Sequence, residues 1–180
     1  DQLFDRTRGR ASTFYTDGVV AHVSFGEPFC PHLRGILLDV LSELGLPNHD
    51  GGTYVCMEGP CFSTRAESEF YRSMGAHVIG MTNLPEAKLA REAEICYATL
   101  ALTTDYDCWH QSEEDVSVEA VLAVVRQNSR AARQVVAGLA ARFSPQKGCK
   151  CQSALTNAIM TAPDKISAEA WPRLDLLIRF

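Results

Sequence analysis

Asp105-Tyr106-Asp107 follows a long apolar run and leads into Cys108-Trp109. Where an apolar strand gives way to a loop, an open α/β sheet places its ligand-handling groups. Carboxylates in such a place are partly withdrawn from water, a setting that suits proton transfer. Two of them flanking one residue suit a nitrogen-rich ring. One carboxyl can bond to a ring nitrogen that gains a proton as its bond to carbon breaks, while its neighbour accepts from an exocyclic amine. Two other readings fit the same spacing. Both carboxylates could cap the next turn. Alternatively, Asp-x-Asp could supply the nucleophile and the acid of a phosphatase, although Trp109 stands where such enzymes place a small hydroxyl residue.

Two more motifs stand at similar junctions, Glu58-Gly59-Pro60-Cys61-Phe62-Ser63 and Met81-Thr82-Asn83. Phe62 follows Gly59-Pro60 at a strand-to-helix turn, so its ring can lie against a flat heterocycle or else belong to the core. Ser63, Thr64 and the first amides of the following helix could bind an anion, and N-capping accounts for them equally well. The Thr82 hydroxyl, before a helix opened by Pro85, could hold phosphate or a sugar hydroxyl. His22 could act as a general acid or base, but a single His on a strand is more simply a packed, hydrogen-bonded residue. Arg65, Arg72, Lys88 and Arg91, among Glu67, Glu69, Glu86, Glu92 and Glu94, read as a solvated helix face.

The elements that must position these groups follow from periodicity. Residues 19–24 read as a strand. Pro31 opens a segment with Leu33, Ile36, Leu37, Val40, Leu41 and Leu44 at helical spacing, closed by Gly45. Residues 53–57 are a second strand. Thr64-Arg65-Ala66-Glu67 has capping-box spacing and starts a helix that Gly75 can end before a strand at 77–81. Pro85 begins a helix running to about Glu94. Residues 95–103 are almost all apolar, β-branched or aromatic, the pattern of a strand covered on both faces that delivers Asp105 at its carboxyl end. From Ser117, Val118, Val121, Leu122, Val125, Ala132, Val135, Val136 and Leu139 recur at helical spacing for about seven turns. This alternation implies an α/β layered sheet.

With 180 residues, 46% hydrophobic and 22% charged, the chain suits one globular domain. A net charge of −5 without basic clusters argues against nucleic acid or an anionic membrane as partner. The apolar runs are short of a bilayer span and the first residues lack a signal-peptide pattern, so the chain reads as soluble and cytoplasmic. Of seven cysteines, Cys30, Cys56, Cys61, Cys96 and Cys108 lie in apolar segments and read as reduced thiols. Cys149-Lys150-Cys151 could be redox-active, bridged or metal-binding. A second Cys/His pair at zinc-finger spacing is missing, so the sequence predicts no metal. After Phe143 the pattern loosens, and the tail from Leu174 to Phe180 could be a subunit contact.

Gly-Pro-Cys-Phe-Ser at 59–63 with Arg-Ala-Glu-Ser at 65–68, Gly-Met-Thr-Asn-Leu-Pro-Glu-Ala-Lys-Leu-Ala at 80–90, and Thr-Asp-Tyr-Asp-Cys-Trp at 104–109 together closely resemble the methylthioadenosine phosphorylases of the trimeric purine nucleoside phosphorylase family. The resemblance includes Asp5-Arg6-Thr7-Arg8-Gly9-Arg10 and Glu27-Pro28-Phe29-Cys30 and loosens in the Cys-Lys-Cys tail. It implies a layered mixed sheet with flanking helices, and phosphorolysis of a 5′-thioadenosine with inorganic phosphate as co-substrate and no cofactor. It also implies that Phe62 stacks near the purine, Met81 lines purine and ribose, Thr82 contacts phosphate and sugar, and Asp105 and Asp107 face the adenine. Asp rather than Asn at 105 implies a 6-aminopurine. Val118, Val121 and Leu122 match an apolar wall around the methylthio group, and Ser63 a position tied to substrate choice. His22 matches a residue reaching a neighbouring subunit of a homotrimer. Cys61 departs from the family's Gln or Arg at that turn. The family's Gly-rich phosphate loop and Arg-His pair precede the portion matched here. The expectation is therefore that residues 1–180 form the carboxyl-terminal part of one phosphorylase domain, active with its amino-terminal part or paired with a separate amino-terminal chain. The rival expectation is an incomplete fragment serving only as a subunit.

Overall fold

The computed structural model describes residues 1–110, 118–145 and 148–178; the side chains of Val118 and Ala120 lie outside the described residues. Three parallel strands form its sheet: β1 (Gln2–Arg6), β2 (Thr53–Met57) and β3 (Ala76–Gly80), in the order β1-β2-β3. Gln2 faces Thr53 and Arg6 faces Met57, so β1 and β2 run level to their carboxyl ends. Because all three strands point the same way, the segments after Arg6, Met57 and Gly80 leave the sheet side by side. This convergence is the feature of an α/β sheet that builds sites.

The helices follow their local signals. Pro31 stands at the start of α1 (Pro31–Glu43), and Gly45, at φ +63°, takes the left-handed conformation that ends it. Thr64 caps α2 (Arg65–Ser73) through the reciprocal bonds expected of it: the Glu67 amide donates to the Thr64 hydroxyl, and the Thr64 amide donates to the Glu67 carboxylate. Pro85 precedes α3 (Glu86–Glu92). The long α4 (Val118–Arg142) has the extent its periodicity predicts. α1 and α4 bury Leu37, Val40 and Val135 between them. A Cβ on Gly138 would lie 2.7 Å from Val40 Cγ1, so the bare glycine backbone permits that approach.

Two expected strands do not form ladders. Within 19–24 only Ala21 pairs, by one antiparallel bridge to Ile159. Residues 95–103 form no strand ladder among the described residues. They are nonetheless tied down: the Cys30 amide donates to Tyr97 O at 2.8 Å and Thr99 donates to Asn83 at 2.8 Å. Tyr97 packs with the sheet-side cluster of Cys56, Leu84 and Ala87, while Ala98 and Leu100 pack with the α1–α4 cluster. High β-propensity makes a strand only where a partner backbone runs alongside, and among the described residues this segment joins two apolar layers without forming a ladder.

A third apolar cluster unites the early segment with the carboxyl-terminal one. Tyr15 and Val19 pack with Ile166, Ala170, Leu174 and Ile178. The tail, expected as a subunit contact, thus buries Leu174 and Ile178 within its own chain and leaves Leu176 exposed. No helix among the described residues is long and apolar enough to cross a membrane.

Candidate active site

Arg10 gathers the strand ends. Its Nε donates to Glu58 Oε2 at 3.0 Å, Nη1 to the carbonyls of Met81 (2.9 Å) and Leu84 (2.5 Å), and Nη2 to those of Glu58 (3.0 Å) and Met57 (3.5 Å). Four of the five bonds of this one guanidinium thereby satisfy backbone carbonyls left over where β2 ends and the segment after β3 turns, and the fifth meets the Glu58 carboxylate. The Arg8 amide donates to the same Glu58 carboxylate. That bond, reinforced by Arg10, holds Glu58 below the usual carboxylate range.

Met81 and Thr82 follow directly. Gly59 has φ +75°, and a Cβ there would lie 2.7 Å from Met81 Sδ, so the turn after β2 and the Met81 side chain are in close contact. The buried Cys56 thiol donates to Thr82 O at 2.9 Å, and burial pushes that thiol up. Tyr54 OH lies 3.4 Å from Thr82 Oγ1. Thr82 itself is exposed.

The loop at 103–110 is gripped by one face of α2. Ser68, 1% exposed, donates to Asp107 Oδ2 at 2.5 Å, and the Cys108 amide donates to Oδ1 at 2.8 Å. One turn further, Arg72 lies over the Trp109 ring, 3.6 Å from its centroid. Residues four apart share a helix face, so the capping box that fixes the first turn of α2 also aims Ser68 and Arg72 at the loop. Tyr106 stacks on His110 at 4.5 Å. The Cys108 thiol reaches Ser63 O at 3.5 Å, and Ser63 Oγ lies 3.8 Å from Met57 Sδ. Asn128 of α4 donates to Thr103 O at 2.8 Å.

These bonds bring Ser63, Met81, Thr82 and Asp107 into one connected group. Asp105 belongs to the same loop but is exposed, with Thr104 Oγ1 donating to its Oδ1, so the withdrawal from water expected of it is not found. Phe62 is 83% exposed rather than core, its ring open to solvent. Val121 is half-buried and Leu122 largely exposed on the first turns of α4. The Val118 side chain lies outside the described residues. His22 is exposed and its amide donates to Ala158 O, away from the bonds that join the other residues.

Three residues read from sequence as a solvated face have other roles. Arg91, 9% exposed, donates to the carbonyls of Ser24 and Glu27. Glu92, 5% exposed, accepts from Thr13 Oγ1 and the Phe14 amide, each at 2.7 Å. Arg72 is committed to Trp109. Periodic mixed charge on a short helix did not separate these from true surface positions. Ser68 and Arg10 were also missed, and for Ser68 the usable signal was its position one turn after the Thr64 cap.

Comparison with known proteins agrees with this architecture. S-methyl-5'-thioadenosine phosphorylase of Geobacter sulfurreducens is 54% identical over 179 residues, covering 99% of this chain and 63% of the relative. The chain therefore spans less than two thirds of that relative's length. A solved structure of methylthioadenosine phosphorylase sourced from an antarctic soil metagenomic library superposes with TM-score 0.93 at 48% identity, covering 99% of this chain and 64% of that one. Methylthioadenosine phosphorylase from Schistosoma mansoni in complex with adenine superposes with TM-score 0.79 at 31% identity, covering 88% and 64%. The family model described as the phosphorylase superfamily matches residues 1–141, from β1 to the last turn of α4, and this chain belongs to that superfamily.

Proposed function

We propose that the protein catalyses phosphorolysis of S-methyl-5'-thioadenosine, acting in purine and methionine salvage. Phosphate attacks the anomeric carbon of the ribose as the bond to adenine loosens. The products are adenine and 5-methylthioribose 1-phosphate. The observation that supports this most is that Phe62, Ser63, Met81, Thr82 and Asp107 lie at one end of a parallel sheet in a chain 54% identical to a protein of that activity.

In this reading Asp105 holds the ring nitrogen that becomes protonated as the base departs, and Asp107, fixed by Ser68, accepts from the 6-amino group. Proton assistance of this kind contributes ~10²–10⁴-fold. Phe62 stacks on the base, Met81 lines base and ribose, and Thr82 binds phosphate and a ribose hydroxyl. Val118, Val121 and Leu122 surround the methylthio group, with Ser63 tuning which 5′ substituent is accepted. The chemistry uses inorganic phosphate as co-substrate and no cofactor. Residues 1–180 act as the carboxyl-terminal part of one domain, in a cytoplasmic homotrimer where His22 reaches the neighbouring site. Exposed apolar side chains such as Val136 and Leu176 would be partly covered by such assembly, and sedimentation at the mass of a single chain would reject it. The phosphatase reading has no support in the relatives.

The deciding experiment is Asp105→Asn in protein of the relatives' full length, followed by free base released from methylthioadenosine and from its 6-oxo counterpart. The 6-amino substrate should lose by far the more. An unchanged ratio between the two would remove Asp105 from the base-handling role.

A further inference from the structure

Cys30, Cys96, Cys149 and Cys151 come from three distant stretches of the chain, yet their sulfurs all lie within 4.8 Å of one another. Cys30 precedes the first turn of α1, Cys96 lies just beyond α3, and the other two flank Lys150 at the start of a short 3-10 turn, Lys150–Ser153. All four are free thiols. Cys149 Sγ lies 3.7 Å from Cys30 Sγ and 3.6 Å from Cys96 Sγ. Four sulfurs bound tetrahedrally to one zinc ion at ~2.3 Å are about 3.8 Å apart, whereas bonded sulfurs are about 2.05 Å apart. The cluster thus has the dimensions of a tetrathiolate cage.

We propose that these four cysteines form a structural site for a soft, tetrahedral divalent cation of the zinc type. The donors are all thiolate, the set that selects such ions over magnesium or calcium. Cys30 and Cys151 are buried, which keeps water from competing for the ion, while Cys96 and Cys149 are partly exposed and give the ion a way in. Each neutral thiol that binds releases its proton, and the ion undergoes no change of oxidation state. Four protein ligands leave no open position, so the site supplies no Lewis acid to a reaction. Its effect is to clamp the 149–153 turn onto the start of α1 and the segment beyond α3. The prediction of no metal from spacing alone depended on finding two local pairs, and here folding supplies the second pair from Cys30 and Cys96.

The test is cobalt(II) titration of the reduced, chelator-stripped protein. One cobalt per chain should bind with the intense visible absorption and sulfur charge-transfer band of a tetrahedral thiolate complex, and zinc should displace it. Cys96→Ser should weaken cobalt binding by more than the roughly 10–100-fold that follows loss of a mere outer-shell partner. Cys61→Ser, at an exposed thiol outside the cluster, should leave it unchanged. If Cys96→Ser fails to fold, Cys149→Ser and the wild-type spectrum carry the same decision. Absence of stoichiometric binding, an octahedral spectrum, or equal affinity in the two variants would overturn the site. So would protein whose cluster is isolated as disulfides and, once reduced, takes up no cobalt.

Discussion

Ser68 Oγ donates to Asp107 Oδ2 at 2.5 Å, linking an almost wholly buried hydroxyl on α2 to a carboxylate on the loop that carries Asp105. This bond to a charged acceptor fixes where the loop stands relative to the sheet. Hydrogen bonds to charged groups contribute ~1.5–3 kcal/mol. Ser68→Ala should lower unfolding free energy by about that amount and weaken nucleoside binding. A double-mutant cycle with Asp107→Asn, read by urea denaturation, should show coupling between the two sites. Additive effects would mean that the loop is held by other contacts.

Gly59 offers a test of how Met81 is placed. Gly59→Ala must accommodate both φ +75° and a Cβ 2.7 Å from Met81 Sδ. Gly75→Ala faces similar backbone strain at φ +78° with nothing within 4 Å. Both should lose more than ~1 kcal/mol of stability. Only Gly59→Ala should also raise KM for the nucleoside, because only there must Met81, the side chain proposed to line the substrate, move. Matching KM values in the two variants would dissociate Met81 from that turn.

At alkaline pH, Tyr15 should limit stability. Its hydroxyl is buried with no hydrogen-bond partner among the described residues. Burial, aided by the charges of Glu92 and Glu94, pushes the phenol up to about 12. The folded state therefore holds this proton more tightly than the unfolded state, whose phenol titrates near ~10. The resulting stability is fully present below about 10 and is lost as pH rises from there through about 12. Tyr15→Phe should leave stability at neutral pH unchanged or higher, since it removes an unsatisfied polar atom, and should flatten the alkaline decline seen in denaturation midpoints. A decline of the same steepness would assign it to other groups.

The helices were legible because their signals are local. Pro31 and Gly45 bracket α1, the Thr64–Glu67 box opens α2, and the apolar repeat of α4 needs no knowledge of its neighbours. Strands proved harder, since a ladder belongs to two segments at once. β1 has little apolar pattern of its own and forms because β2 lies beside it, while 95–103 has the composition of a strand but, among the described residues, forms no ladder. The loops proposed to handle the substrate stand out in the sequence as motifs. Of their supports, Ser68 is signalled only by its place one turn after Thr64, while Arg72 and Arg10 have meaning only after folding, as does the approach of Cys30 to Cys149.

The five bonds of Arg10 have a mechanical consequence. In a parallel sheet the ladder ends where the strands do, and the turns beyond would otherwise sway independently. One planar, rigid cation ties those turns together, so the Met81 corner and the Glu58 corner are held at a fixed spacing. Substitutions at the exposed tips, Phe62 and Ser63 among them, can then change what the loops present while the strand ends behind them keep their spacing.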